Sequence, residues 1–151
     1  MRLSRAAEYA VRCMLYLSLS GKGVLVSRRT VAREMDIPEQ FLGKIVQQLS
    51  RAGLIEIIQG AKGGFRLTVL PDDLTMLTVI EAVIGEIFLN DCVLRPESCD
   101  RSPACKVHVV WENVRNQLRE SLRKVSFSTL ITETPAFTLD SHSGKPDSCN
   151  P

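Results

Sequence analysis

Three cysteines and a histidine lie close together in the second half of the chain, and their side chains are suited to metal chemistry. Cys92 and Cys99 are separated by six residues, Cys99 and Cys105 by five, and His108 follows after two more. Thiolates bind soft or borderline metals, and three thiolates with one imidazole can fill four ligand positions. The segment therefore predicts a metal centre.

The spacing leaves more than one occupant open. Zinc knuckles usually have two residues between paired cysteine ligands, whereas the wider gaps here indicate an open loop. This favours a multi-metal iron–sulfur cluster, yet by spacing alone cluster and zinc are nearly even. A redox disulfide would leave one of the three thiols unpaired. Inert burial conflicts with the polar residues around the thiols, which are Arg95, Pro96, Glu97, Asp100, Arg101 and Pro103.

Composition indicates a globular protein of the cytoplasm. The chain has 151 residues, of which 44% are hydrophobic and 24% charged. An apolar run of about 18 residues, the minimum for a membrane span, does not occur, and no secretory signal is recognisable at the N-terminus. The total of five cysteines is odd, which argues against a disulfide framework. Cys13 is expected in the core and Cys149 in the tail.

Charge is unevenly divided between the two halves. Residues 1–68 contain eleven Lys or Arg against five Asp or Glu, a balance of +6, whereas residues 69–151 contain eight against twelve, a balance of −4. A basic half beside an acidic half indicates that the N-terminal half meets a polyanion.

Periodicity in that basic half predicts helices followed by a β-hairpin. The predicted elements, in order, are helices over 2–20, 28–35 and 38–52 and strands over 54–58 and 65–68. Pro38 suits the first position of the third helix, and Phe41, Leu42, Ile45, Val46 and Leu49 form its apolar stripe. Glycines fill the hairpin tip over 59–64. This order predicts a mainly α fold with a small β-hairpin wing, a winged helix-turn-helix.

The second half predicts a further helix over 75–84, a polar loop and a long helix over 107–125. Apolar residues in the long helix recur every 3.5 residues, which favours pairing of two helices and hence a homodimer. The chain is thereby divided into a DNA-binding region at 1–70, a helix under the wing at 71–89, the cysteine loop at 90–106, a dimerisation helix at 107–130 and a disordered tail at 131–151.

The winged region supplies candidates for DNA contact. In a helix-turn-helix the second helix enters the major groove, and its early residues reach base edges. Gln40 can bond an adenine edge, and Lys44 can reach a guanine or a phosphate. A phosphate is favoured at the start of the second helix, and Lys62 at the wing tip can approach the minor groove. The full candidate set is Ser27, Arg28, Arg29, Glu39, Gln40, Gly43, Lys44, Gln59 and Lys62.

These motifs together resemble the IscR/NsrR-like family of winged helix-turn-helix, iron–sulfur cluster-sensing transcription regulators. The resemblance covers residues 1–130 and rests on the opening Met1–Ser4, on 37–55, on the glycine-rich 59–65 and on the three-cysteine loop. It implies a homodimer that binds a pseudo-palindromic site on double-stranded DNA. It also implies that the state of an iron–sulfur cluster alters DNA affinity.

The resemblance offers two candidates for the fourth ligand. His108 stands at the third position after Cys105, which matches members with a [2Fe–2S] cluster ligated by three Cys and one His. In other members a carboxylate from the first helix of the other subunit ligates a [4Fe–4S] cluster, and Glu8 occupies that position. We expect His108 and the [2Fe–2S] cluster.

The sequence therefore predicts a cluster-sensing regulator, acting as a repressor of genes for iron–sulfur, iron or redox and nitric-oxide responses. It is not expected to be an enzyme, because no further catalytic group set is present; only two His occur. The hairpin tip also lacks the Gly-Lys-Ser/Thr ending of a phosphate-binding loop. The alternatives are a zinc-stabilised or cluster-free winged-helix regulator and, less favoured, a cluster-bearing redox protein.

Overall fold

The computed structural model describes residues 3–133 of the chain. They contain seven α-helices and one two-stranded antiparallel sheet, together with two short 3-10 turns. The helices are α1 (Arg5–Ser20), α2 (Arg28–Glu34), α3 (Glu39–Arg51), α4 (Met76–Ile84), α5 (Asp91–Leu94), α6 (Lys106–Arg123) and α7 (Phe127–Glu133). The strands are β1 (Ile55–Ile58) and β2 (Gly64–Leu67). The predicted fold, mainly α with a β-hairpin wing, is confirmed.

Hydroxyl side chains cap the start of four of the helices. Ser4, Ser27, Thr75 and Ser126 each accept a hydrogen bond from a backbone N–H three residues later, at 3.3, 3.1, 3.2 and 3.2 Å. Each bond satisfies a donor that the first turn of a helix leaves without a partner. Gly21 and Gly85, with φ of 97° and 79°, end α1 and α4.

The turn between α2 and α3 is tight. Asp36 has a φ of 52°, a conformation that short polar side chains tolerate better than most. The backbone N–H of Ile37 donates to the carbonyl of Ala32 at 2.9 Å. Pro38 is the N-cap residue of α3 rather than its first helical residue, since its ψ of 129° is extended. The prediction for Pro38 was therefore wrong by one position.

The core lies where α1 packs against α3, α4 and α7. Four of the five residues predicted for the apolar stripe of α3 are buried, namely Leu42, Ile45, Val46 and Leu49. The fifth, Phe41, is 48% exposed. Its ring lies at the edge of the stripe, 6.2 Å from the ring of Tyr9 on α1. No helix within residues 3–133 is long and apolar enough to cross a membrane.

The C-terminal region differs in part from its prediction. The helix predicted over 107–125 is present as α6, which ends two residues earlier at Arg123, and a further helix, α7, begins at Phe127. Between them the chain leaves the helical path, because the carbonyl of Val125 accepts from the N–H of Met76 at 2.9 Å. The N–H of Phe127 donates to Leu74 at 2.8 Å, and the Phe127 ring is fully buried.

The predicted dimerisation segment 107–130 is thus two helices, and the second belongs to the core. Residues 131–133, assigned by the sequence to a disordered tail, complete α7. The rest of that predicted tail, with Cys149, lies outside the described residues.

Candidate nucleic-acid interface and cysteine loop

The exposed face of α3 carries the polar residues expected to meet DNA. Burial of the apolar stripe orients the helix, so Glu39, Gln40 and Lys44 are exposed in its first two turns, and Gly43 is half-buried between them. An N-terminal segment of a recognition helix with free polar side chains can reach base edges in the major groove.

The start of α2 lies beside this face. The hydroxyl of Ser27 accepts from the N–H of Thr30 and also pairs with the Thr30 hydroxyl at 2.8 Å. Ser27 therefore caps the N-terminus of α2. Arg28 and Arg29 are both exposed, and a guanidinium nitrogen of Arg28 lies close to Gly43 on α3.

The wing is held against the segment that leads into α2. β1 and β2 pair in antiparallel register, with an ion pair of 2.7 Å between Glu56 and Arg66 on adjacent strands. Phe65 exchanges two backbone hydrogen bonds with Val26, at 2.9 and 3.0 Å. A side chain at Gly64 would overlap the Val26 carbonyl, so glycine permits this close approach.

The wing tip presents the remaining candidates. Gln59 and Lys62 are both exposed. Between the tip and α3 runs a groove of about 430 Å³ whose polar side chains include those of Arg28, Gln47 and Gln59. The nine predicted DNA-contact residues thus lie on three adjoining elements: the start of α2, the face of α3 and the wing.

The cysteine loop is built from short turns. Cys92 is in α5, exposed Cys99 follows the 3-10 turn Pro96–Ser98, and Cys105 is the N-cap residue of α6. None of the three thiols forms a disulfide with another described cysteine. Within residues 3–133 no group of three or more His, Cys, Asp or Glu side chains converges as a metal site.

His108 lies in the first turn of α6, and its N–H donates to the Cys105 carbonyl at 3.2 Å. Its Nδ1 atom is buried and has no hydrogen-bond partner in the described part of the chain. A buried polar atom without a partner costs free energy, and bonding to a metal would remove that cost. The donor set of three free thiols and this imidazole fits an iron–sulfur cluster chemically.

The other two candidates for thiolate or carboxylate chemistry lie on α1. Glu8 is exposed in the first turn of this helix. Cys13 is fully buried, and this burial raises the pKa of its thiol from 9.0 to about 12. Cys13 is therefore a small core residue, as the sequence predicted.

A set of polar contacts not anticipated from the sequence joins α6 to the DNA-binding elements. Arg119 donates to Glu81 on α4 at 3.0 Å and to Glu86 at 2.8 Å, and Arg115 also pairs with Glu86. The side-chain amide of Gln48 on α3 donates to the α4 carbonyl of Val83 at 3.0 Å. The i, i+4 spacing of the two arginines could have indicated a shared face, but nothing in the sequence identifies their partners.

The N-terminal part of the long helix α6 carries large apolar side chains that are exposed in the protomer. Val107, Trp111 and Val114, three positions of the predicted 3.5-residue repeat, are 55%, 40% and 42% exposed. Further along, Leu118 and Leu122 pack against the Ala7, Leu77, Ile80 and Ile87 cluster. The repeat therefore packs within the protomer at Leu118, whereas its three N-terminal positions remain exposed.

Comparisons with known proteins agree with this arrangement. Residues 3–133 match the model of the Rrf2 family, described as iron-dependent transcriptional regulators. A protein of Shouchella clausii named as the HTH-type transcriptional regulator NsrR is 33% identical over 132 residues, covering 87% of this chain and 89% of its own. The transcriptional regulator IscR of Aliivibrio salmonicida is 26% identical over 133 residues, covering 88% of this chain and 79% of its own.

A solved structure has the same fold. CymR of B. subtilis, described as the global cysteine regulator, superposes with a TM-score of 0.70 at 24% identity, covering 89% of this chain and 99% of that one. The resemblance inferred from sequence is thus confirmed, as is the expectation of a regulator rather than an enzyme. The chain belongs to the Rrf2 family and is a DNA-binding transcriptional regulator related to IscR and NsrR.

Proposed function

We propose that this regulator is a homodimeric repressor whose affinity for a pseudo-palindromic operator is set by an iron–sulfur cluster. Cys92, Cys99 and Cys105 would hold the cluster, with His108 as the fourth ligand and Glu8 of the partner subunit as the alternative. The buried Nδ1 atom of His108, which lacks a hydrogen-bond partner within residues 3–133, is the observation that carries the ligand assignment. We favour a [2Fe–2S] cluster because the family members that this loop resembles pair that cluster with three Cys and one His.

A bound cluster would supply a charge and a coordination state that change with iron supply, oxidation or nitric oxide. The chain's own residues connect that site to DNA. Cys105 and His108 form the start of α6, so fixing them fixes this end of the helix. Arg115 and Arg119 join α6 to Glu86, and Arg119 also reaches Glu81 on α4.

The connection continues into the DNA-binding half, because Gln48 joins α4 to the recognition helix α3. A shift of α6 would therefore reach α3 through two successive polar contacts. A difference of a few kcal/mol in the binding of the two states is enough to switch operator occupancy.

Dimerisation is supported by the exposed stripe Val107, Trp111 and Val114 on α6. Apolar residues repeated every 3.5 positions pack well against a second copy of the same helix. We expect wild-type protein to sediment as a dimer and Val114→Glu to shift it toward monomer. Glu112→Lys, an exposed change off the repeat, is the matched control. A wild-type monomer would contradict the homodimer.

The cluster is tested by anaerobic purification, visible absorption and analysis of iron and sulfide. We expect a coloured protein whose spectrum is lost in Cys92→Ala and altered in His108→Ala. Cys13→Ala is the matched control, because its thiol is buried in the core. A spectrum sensitive to Glu8→Ala instead of His108→Ala would replace the fourth ligand.

A second candidate is a regulator with zinc or with no metal. It is favoured by the donor set itself, because three thiolates and one imidazole also suit a tetrahedral zinc site. A colourless protein after anaerobic reconstitution, with or without stoichiometric zinc, would establish this alternative and reject the cluster. Operator binding unaffected by the three Cys→Ala changes would point the same way.

A further inference from the structure

Gly43 is an unexpected residue in the middle of the recognition helix. Glycine inside a helix is less favourable than alanine by about 1 kcal/mol, and the φ of Gly43 is not positive, so its backbone does not require glycine. One neighbour of Gly43 lies on α2. A Cβ atom at position 43 would be 3.4 Å from Nη1 of Arg28, an ordinary van der Waals contact, and a long side chain directed along the same path would compete with the guanidinium for this space.

The positive charge of Arg28 is not neutralised by a carboxylate within residues 3–133. The side chain is exposed and makes no ion pair or hydrogen bond with residues 3–133. It lines the groove between α3 and the wing, together with Gln47 one turn beyond Gly43 and with Gln59 on the wing. None of the residues that line this groove carries a carboxylate. The groove is therefore complementary to a polyanion.

The guanidinium of Arg28 lies beside α3. From sequence, Arg28 and Arg29 were both assigned to a phosphate at the start of α2. Arg28 instead reaches across to the surface of α3, where side chains meet base edges. Its planar fork matches the paired acceptors O6 and N7 of guanine.

We propose that Gly43 leaves the space through which Arg28 enters the recognition surface, and that Arg28 reads a guanine in each operator half-site. This inference rests on the proposed operator binding. Arg28 would then be a specificity-determining residue that lies outside the recognition helix. The absence of a side chain at Gly43 would position Arg28.

The test is selection of operator sequences from a randomised duplex pool, with affinity then measured against salt. The variants are Arg28→Leu, Arg28→Lys, Gly43→Leu and the double variant Arg28→Leu/Gly43→Leu, with Arg29→Leu as the matched cation removal. Thermal melting checks that each is folded. Gly43→Ala adds only a Cβ in ordinary contact, so comparing it with Gly43→Leu shows how the guanine preference depends on the size of the side chain at position 43.

We expect Arg28→Leu to lose roughly 5- to 160-fold of the preference for one guanine, equivalent to about 1–3 kcal/mol. Arg28→Lys loses the same preference because it keeps the charge without the fork. Gly43→Leu matches Arg28→Leu, and the double variant is no worse than either single one. Gly43→Ala retains most of the preference, whereas Arg29→Leu weakens binding to all sequences alike.

Two results would overturn the inference while leaving operator binding intact. If Arg28→Leu weakened all sequences equally and lowered the salt slope by about 0.9, Arg28 would be a phosphate contact. If Gly43→Leu kept the guanine preference, position 43 would not position Arg28. If the wild-type protein enriched no sequence at all, the proposed operator binding would fail, and this inference with it.

Discussion

Substitution of Gly64 by alanine tests how firmly the wing is fixed to the helix-turn-helix. The added methyl group would overlap the Val26 carbonyl oxygen and lie 2.8 Å from its carbonyl carbon. Carbon atoms in contact are 3.5–4.0 Å apart, so the two segments must separate by about 1 Å. That movement weakens both backbone hydrogen bonds between Val26 and Phe65, which are 3.0 and 2.9 Å long.

Each of these hydrogen bonds contributes about 0.5–1.5 kcal/mol net, so we expect Gly64→Ala to lower the free energy of unfolding by about 1–3 kcal/mol. Urea denaturation followed by circular dichroism measures this loss. Operator affinity should fall as well, because Gln59 and Lys62 at the wing tip would no longer be held beside α2.

Gly43→Ala is the control, since the same methyl group is added where it fits. There the helix gains about 1 kcal/mol from propensity, so the two glycines should respond with opposite sign. A Gly64→Ala protein at least as stable as the wild type would refute the reasoning, because it would mean that the wing moves away from Val26 without cost.

Two further predictions concern the core. Phe127→Ala should lower the free energy of unfolding by about 3–5 kcal/mol, since the ring is fully buried, and half-exposed Phe41→Ala should cost less than half as much; similar losses in urea denaturation would show that α7 is not an integral part of the core. The pKa of Cys13 is about 12, raised from 9.0 by burial, so native Cys13 should resist a thiol reagent at pH 8 that modifies exposed Cys99. Unfolding lets this thiol ionise at its ordinary pKa, so its contribution to the free energy of unfolding is complete below pH 9 and is lost as the pH rises toward 12. Cys13→Ala should remove this loss of stability at alkaline pH. A native Cys13 that is modified as fast as Cys99 would contradict its burial.

Much of the DNA-binding half could be read from local patterns. Hydroxyl caps at Ser4 and Ser27, the proline after α2 and the glycines of the wing act within a few residues of the chain. The periodicity of α3 then determines which side is buried, and with it the exposure of Gln40 and Lys44. Phe41 is the exception, because helical spacing placed it in the stripe whereas its side chain is 48% exposed in the folded chain.

The C-terminal half was less predictable. The apolar repeat of α6 continues to Val125 in the sequence, but the helix stops at Arg123 because the Val125 carbonyl bonds to Met76, 49 residues away in the chain. Competition between a helical hydrogen bond and a distant backbone partner leaves no mark on local periodicity. The same holds for the pairing of Arg119 with Glu81 and Glu86.

By itself the sequence determined the winged-helix order, the polar face of α3, and a loop whose three thiols and imidazole could bind a metal. These depend on residue type and on spacing along the chain. Only the tertiary structure decided that the Arg28 guanidinium lies near Gly43, that His108 buries an Nδ1 atom with no hydrogen-bond partner among residues 3–133, and that α6 is joined to α3 through α4. These contacts join residues far apart in the chain, and they form only when packing brings the helices together.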